Sequence, residues 1–123
     1  MIKLTIVVPC YNEEEALPET ARRLIGVVQE LQTKGSIDLN SELLLIDDGS
    51  TDRTWTLIER LADENSAIHG LKLSRNRGHQ NALLAGLLTA EGDAVISIDA
   101  DLQDDIGVIA PMVDACLNGY DIV

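Results

Sequence analysis

Short apolar runs alternate with longer amphipathic stretches along the chain. That alternation predicts successive βα units, hence an α/β fold around a mostly parallel sheet with helices on both faces. Leu4 to Val8 is a continuous β-rich run, the pattern of a strand buried on both sides. Pro9 has no N–H and is expected to end its pairing. Leu17, Ala21, Leu24, Val28 and Leu31 recur at helical spacing, with Glu13, Glu14 and Glu15 near the positive end of that helix. Gly35 is its expected stop. Leu43 to Ile46 reads as a second strand. Ser50, Thr51 and Asp52 are N-cap candidates for a helix that turns Trp55, Ile58, Leu61 and Ala62 inward. Ala67 to Leu73 reads as a third strand and Ala94 to Ile98 as a fourth. Between them, Gln80 to Ala90 is apolar nearly all round, as a buried helix would be. Pro111 suits the first turn of a last helix ending near Leu117, and Tyr120 to Val123 resembles the opening of a fifth strand.

A length of 123 residues fits one domain, and 46% hydrophobic with 24% charged residues excludes wholesale disorder. No repeat or low-complexity tract interrupts the pattern. The final Asp-Ile-Val is a strand start without a continuation, so residues 1–123 are expected to be an incomplete domain, cut after strand five begins. An unpaired sheet edge there would favour self-association.

Charge narrows the partners. Twenty-one acidic residues face nine Lys and Arg, a net charge of -12, which repels nucleic acid. A chain this acidic needs a metal or a local run of backbone N–H groups to hold an anion. Cys10 and Cys116 make neither a disulfide framework nor a zinc site. No apolar run is long enough to span a membrane, and no signal-peptide layout is present, so a cytoplasmic setting is expected.

Ligands of open parallel sheets bind beyond the carboxyl ends of the strands. The segments expected there are Pro9-Cys10-Tyr11-Asn12-Glu13, Asp47-Asp48-Gly49-Ser50, Ser74-Arg75-Asn76-Arg77-Gly78 and Asp99-Ala100-Asp101-Leu102-Gln103-Asp104. Asp99 and Asp101 can aim two carboxylates at one point. Their mutual repulsion is relieved by a divalent cation such as Mg²⁺ or Mn²⁺, with Gln103 as a neutral oxygen donor. The plainer alternative is a solvated acidic loop with Asp104 as a helix cap. Asp47 and Asp48 suit a plain turn followed by an N-cap; at a strand end their carboxylates can instead accept the N–H groups of a base. Tyr11 can stack on a base or pack half-buried, and Glu13 can accept from a ribose hydroxyl. Arg75 and Arg77 can hold a phosphate or neutralise the acids, and Gly78 can expose N–H groups to an anion. Cys10, His69 and His79 read as structural, and Ser50 lacks a nucleophile-elbow pattern.

Together, Val-Val-Pro-Cys-Tyr-Asn-Glu-Glu, Leu-Ile-Asp-Asp-Gly-Ser-Thr-Asp-Arg-Thr, Arg-Asn-Arg-Gly-His-Gln-Asn-Ala and Asp-Ala-Asp-Leu-Gln-Asp resemble the inverting glycosyltransferases of family 2. The similarity is greatest to the branch of dolichyl-phosphate mannose synthase and undecaprenyl-phosphate glucosyltransferase. It implies a GT-A fold whose Rossmann-like half binds the nucleotide. It also implies transfer of a hexose from a UDP- or GDP-linked sugar, often to a polyprenyl phosphate. Carried over, Pro9, Tyr11 and Glu13 contact the nucleoside, and Asp48 contacts the base, with Asp47 the weaker candidate. Asp99, Asp101 and Gln103 bind the metal, and Asp99 serves the nucleotide as well. Family members often have proline after Leu-Gln, where this chain has Asp104, Asp105 and Ile106. The usual catalytic acid and basic clamps lie further along such chains, so residues 1–123 alone are expected to be inactive. The parent protein is expected at the cytoplasmic membrane face.

Two other classes compete. A phosphoacceptor receiver has similar length and clustered acids, but needs paired acids after its first strand, where Pro9-Cys10-Tyr11 stands, and a lysine after its fifth. A nucleotidyltransferase needs a glycine-rich basic loop after strand one, which is missing.

Overall fold

The computed structural model describes residues 2–73, 93–98, 100, 109, 111 and 113. In chain order these form β1 (Leu4–Cys10), α1 (Leu17–Thr33), β2 (Glu42–Asp47), α2 (Thr54–Glu64), β3 (Ile68–Lys72) and β4 (Ala94–Ser97). The strands make a four-stranded sheet in the order β3-β2-β1-β4. Each neighbouring pair is parallel. The expected α/β fold is therefore the fold observed.

Alternation along the strands sorts the core onto the two faces. Leu4, Ile6, Val8 and Cys10 of β1 join Leu43 and Leu45 of β2 on one face, against Leu17, Ala21, Leu24, Val28 and Leu31 of α1 and Ile58 of α2. Val7, Leu44 and Ile46 form a second cluster on the other face, with Leu71, Leu73 and Val95 beside them. Both described helices thus cover one face. The helix expected at 80–90 and the strand expected at 120–123 lie outside the described residues. Ile109, Pro111 and Val113 are helical, so that helix reaches back beyond Pro111.

Pro9 corrects the reading of the first strand. β1 runs through it to Cys10, with Pro9 opposite Ile46 and Cys10 opposite Asp47. The carbonyl of Cys10 accepts from Asp48 N–H on the β2 side, whereas that of Val7 accepts from Ile98 on the β4 side. Successive residues alternate sides, so the nitrogen of Pro9 faces β4. There the pairing of β1 with β4 has ended at Val7 opposite Ser97. The missing N–H therefore costs no ladder bond.

α1 ends as its glycine predicts. Gly35 has φ 76. Its N–H bonds Gln32 O at 3.0 Å, and Ser36 N–H bonds Leu31 O at 3.0 Å. This is the paired-bond termination that a left-handed residue allows.

Candidate functional site at the carboxyl ends of the strands

The connection from β1 moves outward through β2 to β3, and β4 lies on the opposite side of β1. The strand order reverses at β1, and a crevice opens beyond the carboxyl ends of the strands flanking such a reversal. Pro9 to Glu13 leave β1 at this point, and Ala100 follows β4.

The loops after β1 and β2 are laced together. Asn12 has φ 52, the left-handed region, in which asparagine is among the few tolerated side chains. Its N–H donates to Ser50 Oγ at 2.9 Å, and its Oδ1 accepts from Thr51 N–H at 2.8 Å and Thr51 Oγ1 at 3.3 Å. Glu13 N–H donates to Thr54 Oγ1 at 2.8 Å and Glu14 N–H to Asp52 Oδ2 at 3.3 Å. Asp52 Oδ1 in turn accepts from Thr54 N–H at 2.9 Å. Burial works against the Asp52 charge, but the bonds from Thr54 and Glu14 outweigh it and hold the carboxyl below the ordinary range.

This lacing corrects the expected start of the second helix. Its N-cap is Arg53, with no side-chain cap bond. Ser50 and Thr51, proposed as caps, are instead committed to Asn12. Of the residues expected inward, Ile58 is fully buried. Trp55, Leu61 and Ala62 pack partly against the core.

Asp47 and Asp48 are both buried at the end of β2. Asp47 Oδ1 accepts from Ser50 N–H at 3.2 Å. Its Oδ2 is buried and has no hydrogen-bond partner among the described residues. Tyr11, by contrast, is 44% exposed, its ring open to solvent beside the buried Cys10. Cys10 is buried, and its thiol donates to Val8 O at 3.3 Å. Burial, with Glu13 and Asp47 nearby, pushes that thiol far up, so it is an inert packing group. His69 pairs with Glu42 at 3.3 Å near the amino end of the sheet, away from the rim.

Among the described residues, one hydrogen bond reaches the fourth polar segment. Thr20 Oγ1, buried on α1, donates to the carbonyl of Ala100 at 2.5 Å. The sequence reading missed Thr20. A hydroxyl in an apolar helical stripe was the available signal. Asp99, Asp101 and Gln103 lie outside the described residues, as do Arg75, Arg77, Gly78, His79 and Cys116. Among the described residues no group of three acids, histidines or cysteines could hold a metal. Pro9, Tyr11, Glu13, Asp47 and Asp48 do share the rim.

The strand order also separates this chain from a receiver. Receivers follow the order 2-1-3-4-5, in which the first strand pairs the third. Here β1 pairs β2 and β4.

Comparison with known proteins agrees with this geometry. The chain is 52% identical over 122 residues to the uncharacterized glycosyltransferase YkoT of Bacillus subtilis, covering 98% of this chain and 36% of that protein. It is 43% identical over 124 residues to the undecaprenyl-phosphate 4-deoxy-4-formamido-L-arabinose transferase of Aeromonas hydrophila, again covering 36% of the relative and 99% of this chain. The chain thus spans about a third of the length of these relatives. Among solved structures, a mannosyltransferase from Pyrobaculum calidifontis in complex with GDP-Man and Mn²⁺ superimposes with a TM-score of 0.65 at 26% identity, covering 81% of this chain and 28% of that one. The family model for glycosyl transferase family 2 matches residues 5–123, and the chain belongs to that family.

Proposed function

We propose that the protein transfers a hexose from a UDP- or GDP-linked sugar to a polyprenyl phosphate, with inversion at the sugar. The observation that carries this reading is the rim. An exposed aromatic ring, Tyr11, and a buried carboxylate oxygen without a partner among the described residues, Asp47 Oδ2, stand at the ends of β1 and β2, where hydrogen bonds tie the following loops together. A nucleoside offers what both lack, a flat face and N–H donors. Pro9, Tyr11, Glu13 and Asp48 lie against the nucleoside. Asp47 joins them, and its unsatisfied oxygen makes it a stronger acceptor for the base than the sequence implied.

The diphosphate poses an electrostatic problem on a chain of charge -12. The N–H groups of Asn12, Glu13, Glu14, Ser50 and Thr51 are already bonded within the rim, so they form no anion cradle. That favours a divalent cation, Mg²⁺ or Mn²⁺, held by the oxygen donors Asp99, Asp101 and Gln103. When bound, the cation would stabilise the negative charge of the departing nucleoside diphosphate. The structural neighbour determined with GDP-Man and Mn²⁺ supports this.

A polyprenyl-phosphate acceptor is supported by chemistry and by the name of the Aeromonas relative. A lipid phosphate is already anionic, so its oxygen attacks the sugar from the opposite face with little help from a base. On this reading residues 1–123 are the nucleotide-sugar-binding part of the domain, inactive alone, and the parent protein works at the cytoplasmic membrane face. Among the described residues no helix is long and apolar enough to cross a membrane.

The test uses the full-length protein. UDP or GDP with Mn²⁺ at a hundred times its Kd should stabilise the fold by about 2.7 kcal/mol. Asp101→Ala should abolish the metal-dependent share, and Asp47→Ala should weaken nucleotide binding. Labelled sugar should then appear on undecaprenyl phosphate. A melting curve unmoved by either nucleotide would refute the proposal.

A further inference from the structure

We propose that Asn12 is a positioning residue for the donor nucleotide, acting through Tyr11; the inference rests on the nucleotide reading above. Tyr11 is held on both sides by bonds to the β2 loop. On one side Cys10 O accepts from Asp48 N–H at 2.8 Å. On the other, Asn12 donates its N–H to Ser50 and accepts from Thr51 through its side chain. The left-handed turn at Asn12, with φ 52, lets one residue both give and receive across the gap.

Asn12 itself is exposed. Hydrogen bonds in that setting compete with water and add little to folding. The fold has an extensive buried core beneath them. What the bonds at Asn12 do is remove freedom from the segment that carries an exposed ring. Ordering that segment before the ligand arrives lowers the entropy lost on binding. The side chain must satisfy two demands at once, a left-handed backbone and an acceptor oxygen. Glycine meets only the first, alanine meets neither, and aspartate meets both.

The experiment is calorimetric titration of UDP and of GDP, with Mn²⁺, into the full-length protein, with a melting curve for each variant. Asn12→Gly and Asn12→Ala should raise Kd about tenfold, while Asn12→Asp should stay within about threefold of wild type. Tyr11→Ala should also weaken binding, and Tyr11→Ala combined with Asn12→Gly should be little worse than Tyr11→Ala alone, because both act on the same contact. Asn12→Gly keeps the turn, so it reports on the oxygen even where Asn12→Ala folds poorly. Wild-type affinity in Asn12→Gly and Asn12→Ala, whatever their melting points, would overturn the inference. So would losses that simply add in the double variant. A wild-type protein that binds neither nucleotide would overturn the nucleotide reading and this inference with it, a result recognisable before any variant is made.

Discussion

Asp52 anchors the rim through charge. Its carboxylate accepts from Thr54 and from Glu14 N–H, and its pKa is depressed. A depressed folded pKa contributes stability that is full above the unfolded value and is lost as pH falls through the folded one. The stability gap between wild type and Asp52→Asn should therefore be widest near neutrality and close in acid, below the ordinary carboxylate range. Denaturant unfolding at a series of pH values measures this. A gap that widens in acid would contradict the assignment. Thr20 makes a different demand. Its hydroxyl satisfies the carbonyl of Ala100 in a buried setting. Thr20→Val keeps the shape but removes that bond from the carbonyl, at a cost of about 1–3 kcal/mol, whereas Thr20→Ser should restore most of it. Chemical denaturation of both variants checks the difference. Asp47 was legible as a candidate because it is an acid at a strand end. That one of its oxygens is buried without a partner depends on neighbours far along the chain.

At the scale of elements, periodicity located the strands and helices of the described residues well, and the misplacements have local causes. Pro9 stays inside β1 because its nitrogen faces the side where β4 has already ended. Ser50 and Thr51 do not cap α2 because Asn12, distant in sequence, claims them. Gly70 in β3 shows how tightly the elements pack. A Cβ there would lie 2.6 Å from Ile58 Cγ2 and 3.3 Å from the Trp55 ring. Ile58 is fully buried and has little room to retreat. Gly70→Ala should thus destabilise the fold by roughly 1–3 kcal/mol through overpacking between α2 and β3. Thermal unfolding of the variant would show it, and a neutral result would mean that α2 can slide.

Across the whole molecule, topology does what composition cannot. Acids clustered at strand ends suit both a receiver and a nucleotide-sugar enzyme. The pairing of β1 with β4 separates them. An acidic chain that nonetheless takes up a nucleotide should do so only with its cation. Chelation by EDTA should abolish the stabilisation by UDP or GDP, and Mn²⁺ should restore it. Sugar transfer by residues 1–123 alone would overturn the proposal that this part binds the donor without turning it over.

By itself the sequence determined the α/β class, the positions of most strands and helices, and the rim segments from which a site can be built. These follow from local periodicity and from the rule that parallel strands end on one side of a sheet. Only the tertiary structure decided which loops lock together, that Pro9 sits harmlessly in a strand, and that Asp47 keeps an unpartnered oxygen. Those outcomes depend on hydrogen bonds between residues some forty positions apart, such as Asn12 with Ser50 and Thr51. No local pattern encodes which donor meets which acceptor until the sheet has set their register.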